Sequence, residues 1–71
     1  MSAGDIARRH FAAALAEAKA QGQDADAVAR NTLALVITSM LERRSVADVR
    51  AEILAAADNV DPDTDYMFMR P

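Results

Sequence analysis

The chain has no cysteine, so neither a disulfide framework nor a Cys-based zinc site can hold it together. Glycine occurs only twice, which leaves no Gly-rich loop to cradle a phosphate. Tryptophan is absent, and the aromatics are one Tyr and two Phe. Basic residues are outnumbered, with 8 Lys and Arg against 11 Asp and Glu and a net charge of −3. That balance disfavours a mainly electrostatic nucleic-acid binder, because neutralising phosphates needs a basic surface. No long apolar run is present either. The longest uncharged stretch, Asn31 to Leu41, is about half of the roughly 20 residues a membrane span needs. The first residues carry no basic region followed by an apolar one, so a cytoplasmic protein is expected.

Apolar residues nevertheless make up 52% of the 71 positions, which is far from the composition of a disordered chain. Seventeen of them are Ala, so the large side chains available for a core are few. A chain of this length buries only about 60% of its unfolded surface. Burial and chain entropy then nearly cancel, and well-formed helix, self-association or a partner must supply the difference.

Three segments have helical period, which predicts an all-α fold, a small three-helix bundle. Ser2 with Asp5 resembles a capping box opening a helix from about 4 to 21, closed at Gly22. Asp24 precedes a second run from Ala25 to about Arg43, with Arg43 and Arg44 placed against the negative end of its dipole. Ser45 with Asp48 repeats the cap pattern for a third helix from Val46 to about Asp58, with Asn59 expected as a left-handed closing residue. Asp5 with Arg9, and Asp26 with Arg30, have the i,i+4 spacing of helix-stabilising ion pairs. The expected organisation is a helical domain over 1–60 and an acidic turn with an apolar tail over 61–71.

The three helices differ in their apolar faces. Helix one gathers Ala7, Phe11, Ala14, Leu15 and Ala18 on one side, with Ile6 and His10 at the margin, and helix three carries a narrow stripe of Val46, Val49, Ile53 and Ala57. In helix two Val28, Ala29, Leu33, Leu35, Val36, Ile37, Met40 and Leu41 cover roughly two-thirds of the circumference. A helix apolar on most sides is expected to be buried and central, with Val36 and Met40 at the middle of the arc. The narrow faces of its neighbours are too little to cover it. The C-terminal tail, a second copy of the chain or a larger protein subunit would complete the cover.

The tail holds Tyr66, Met67, Phe68 and Met69 in succession after an acidic turn, where a terminus is ordinarily polar. An extended segment places Tyr66 and Phe68 on one face and Met67 and Met69 on the other. Packing on the protein itself is the favoured role, with docking on another protein as the alternative. The interaction residues expected from these patterns are Tyr66, Met67, Phe68 and Met69 in the tail, and Leu33, Ile37, Met40 and Leu41 in helix two.

Other constellations weigh less. Asp61, Asp63 and Asp65 match the first ligand positions of a calcium loop, but Tyr66 stands where the loop needs Gly, and no Glu follows to complete the set. No metal or cofactor is expected. His10 is the only side chain with an ordinary pKa near neutrality, and Glu17 alone does not make it an active site, so an enzyme is not expected. Arg43 to Arg50 spans a short capped turn between two helices, the outline of a helix-turn-helix DNA-binding regulator. Its Asp48 and Glu52 would repel phosphate, and Ala47 and Ala51 offer nothing to base edges. The leading expectation is a small helical protein that binds other protein, with the DNA-binding regulator as its alternative.

Overall fold

A computed structural model of the chain describes residues 1–60. It is all-α, with α1 over Ala3–Ala20, α2 over Ala25–Leu41 and α3 over Val46–Asp58, and no strand among the described residues. The chain divides into two units, Met1–Val36 and Ile37 onward, the division falling within α2.

The helix starts follow from side chains that satisfy the unpaired N–H groups of a first turn. The Asp5 amide donates to Ser2 Oγ at 3.0 Å, and the Ser2 amide donates to Asp5 Oδ2 at 3.3 Å, a reciprocal capping box. The Ala27 amide donates to Asp24 Oδ2 at 3.1 Å, and the Asp48 amide to Ser45 Oγ at 3.1 Å. The end of α1 is equally specific. Gly22 has φ +71°, and the Gln23 amide reaches the Ala18 carbonyl at 2.8 Å while the Gly22 amide reaches that of Lys19 at 3.2 Å. This is the paired closure of a Schellman motif, which needs a residue at ease in the left-handed region. A Cβ at Gly22 would meet nothing within 4 Å, so the demand there is conformational rather than steric.

Four local expectations need correction. Asn59 is right-handed, at φ −75° and ψ −11°. Its amide donates to the Ala55 carbonyl and the Val60 amide to that of Ala57, a tightened last turn that requires no left-handed residue. Helix α2 stops at Leu41, so Arg43 and Arg44 lie beyond it and its last turn has no basic residue. Their amides both donate to the Met40 carbonyl. Asp5 pairs with Arg8 at 2.7 Å, one position short of Arg9, because Arg8 reaches the carboxylate already held by the cap. Asp26 and Arg30 form no ion pair, and both are exposed, where water competes for each charge.

The Asp5 arrangement has a pH consequence. The Arg8 guanidinium first, and then the hydrogen bonds from Ser2, hold the Asp5 carboxyl below its ordinary value. A carboxylate depressed in the folded state contributes stability that is present above its unfolded pKa, about 3.9, and is lost as pH falls through the folded value. Amide signals of the first turn of α1 should therefore move towards disordered positions on acidification below about pH 4, while those at the Ser45 cap respond less. Asp5→Asn should remove that step from the NMR titration.

Burial departs most from expectation. Ala18 in the first unit and Val49 in the second, at 5% and 2% exposure, are the only buried hydrophobic residues described. Within the described residues α2 has none buried, which agrees with neighbouring faces too narrow to cover its apolar arc. Leu33 and Leu35 are 56% and 70% exposed, and Val36 and Leu41 are also exposed. For Leu33, Leu35 and Val36, in the first unit, the physical reason lies in α1, where Ala supplies much of the apolar face and a methyl group shields little of a Leu or Val.

Candidate protein-interaction surface

In the first unit, α1 and the first three turns of α2 form an open apolar groove lined by Ala7, His10, Phe11, Ala14, Thr32 and Val36. Phe11 stays 38% exposed at its edge. Two polar residues of α2 turn inward on their own helix. Asn31 Nδ2 donates to the Ala27 carbonyl at 2.8 Å, and Thr32 Oγ1 donates to that of Val28 at 2.8 Å. These back-bonds satisfy side-chain donors locally, so the groove can accept an apolar neighbour at little desolvation cost. Leu33, one of the expected interaction residues, is exposed on the same stretch of α2.

In the second unit a separate groove of about 350 Å³ is lined by Ile37, Leu41, Val46, Val49, Arg50, Ile53 and Leu54. Ile37 and Leu41 were expected as interaction residues, and both line it; Met40 is half-buried and does not. Val46 and Ile53, at 73% and 38% exposure, belong to the apolar stripe expected of helix three, and Leu54, at 54%, lines the groove beside them. A signal was available for Val46, which directly follows the cap and so has no preceding helical turn to lie against. Tyr66, Met67, Phe68 and Met69 lie outside the described residues, as do Asp61, Asp63 and Asp65.

The turn before α3 is held by its own charges. Arg44 Nη1 donates to Glu52 Oε1, and Nη2 reaches the Asp48 carbonyl at 3.4 Å. Its guanidinium is thus engaged across the first two turns of α3, whereas a regulator of the helix-turn-helix kind would aim it at phosphate. His10 lies in the apolar groove, and among the described residues neither its side chain nor that of Glu17 makes a hydrogen bond or ion pair. Among the described residues no group of His, Asp and Glu is placed to hold a metal ion, and no helix is long and apolar enough to cross a membrane. Comparison with known protein families, with curated proteins and with solved structures finds nothing that matches this chain.

Proposed function

We propose that the chain is a small cytoplasmic protein-protein interaction module whose first partner is a second copy of itself, joined through α2. The observation that carries the reading is the exposure of Leu33 and Val36 on a helix with no buried residue. Large apolar side chains grouped along one element mark an association surface rather than scattered surface hydrophobes.

A second copy is the favoured occupant on two grounds. Ala29, Leu33 and Val36 follow one another at steps of four and three, the spacing by which two like helices interdigitate along a seam. A two-fold pairing also covers the same surface on both chains with a single interface, which suits a chain with only two buried hydrophobic residues described. Light scattering on the full chain, from about 1 to 100 μM, spans the range where modest helix pairing assembles. A mass twice that of the chain, falling on dilution, is the expected result; the mass of one chain throughout would overturn the reading.

A further inference from the structure

The groove of the second unit differs from the α2 seam in having a cation beside its apolar wall. Ile37, Leu41, Val46, Val49, Ile53 and Leu54 form that wall. Arg50 lines it as well, and among the described residues its side chain takes part in no ion pair or hydrogen bond. Its occupant should therefore be apolar with acidic residues next to it. We propose that the groove is the docking site for Tyr66–Met69 of the same chain, with Asp65 coming nearest Arg50.

Reach and order both fit. Helix α3 rises about 1.5 Å per residue, so Ile53 lies about 10 Å and Val46 about 21 Å back along the axis from Val60. Asp61 to Asp65 can span at most about 18 Å. Tyr66 can therefore return to the level of Ile53, and Met69, about 10 Å further on, comes level with Val46. The return needs a reversal just after α3, and Asp61-Pro62 has the residues that favour one, a side-chain acceptor followed by a ring that presets φ. Two Met and two aromatic side chains suit an irregular trough, Met because it adapts its shape and the rings because they bring large area with few torsions. Charge supplies direction, since the acidic residues precede the apolar ones and Asp65, next to Tyr66, is the carboxylate that comes nearest the long Arg50 side chain.

This proposal and the pairing of α2 rest on different residues, and the test separates them. Nuclear Overhauser contacts are recorded in the full chain between the rings of Tyr66 and Phe68 and the methyl groups of Leu41, Val49 and Ile53, using a mixture of isotope-labelled and unlabelled chains. Contacts within one chain, lost in Phe68→Ala while α1 to α3 keep their helical signals, are the expected result. Arg50→Glu should weaken the same contacts several-fold. Random-coil signals for Tyr66 to Met69, contacts only between labelled and unlabelled chains, or contacts confined to Leu33 and Val36 would each overturn it. The oligomeric mass is free to take either value without affecting the outcome.

Discussion

Val36→Asp should abolish the proposed pairing of α2 without unfolding the chain. Val36 is 47% exposed in the single chain, so an aspartate there remains in contact with water and the helix persists. In the paired state the same carboxylate would enter an apolar seam beside its symmetry mate. An unpaired charge taken out of water costs several kcal/mol, and a loss of about 3 kcal/mol already weakens association more than a hundredfold. Light scattering and circular dichroism on one sample provide the check. A halved mass with nearly unchanged ellipticity is the expected pair of results. An unchanged mass would show that α2 does not form the seam, and lost ellipticity would show that Val36 is enclosed within a single chain.

Val49→Asp should have the opposite signature. Val49 is 2% exposed, the most enclosed residue described, and its environment in the groove offers a carboxylate only apolar neighbours and Arg50. The cost of several kcal/mol is comparable to the whole stability of a small domain, about 5 kcal/mol or less. Helical signal equivalent to the 13 residues of α3 should be lost. Val46→Asp, one turn earlier and 73% exposed, should leave that signal in place. Equal behaviour of the two variants would contradict the burial described for Val49.

The helix starts were legible because Ser2, Asp24 and Ser45 carry the chemistry of a cap in their own side chains, within three residues of the groups they satisfy. Gly22 was legible for a similar reason, since a left-handed closing residue is almost a property of glycine. Asn59 tolerates that conformation without requiring it, and the chain there closes by a tighter turn. The two arginines after Leu41 show how a favourable dipole position loses to a specific partner, because Arg44 finds Glu52 and the Asp48 carbonyl instead. Burial was the least legible property. The wide apolar arc of α2 reported what the helix could bury, whereas exposure depends on the size of the neighbours, and Ala-rich α1 has little to offer. Half of the expected interaction residues, Tyr66 to Met69, lie beyond Val60, and the helix-two half divides between exposed Leu33 and Leu41 and half-buried Ile37 and Met40.

The short capped corners also set a clock. The α1 closure links residues five positions apart, from Gln23 to Ala18, and the Arg44 to Glu52 pair links residues eight apart. Contacts so near in sequence need no large loop to close first, and helical chains dominated by them form in microseconds to milliseconds. A slow step in reaching the native state would therefore have to arise outside these corners.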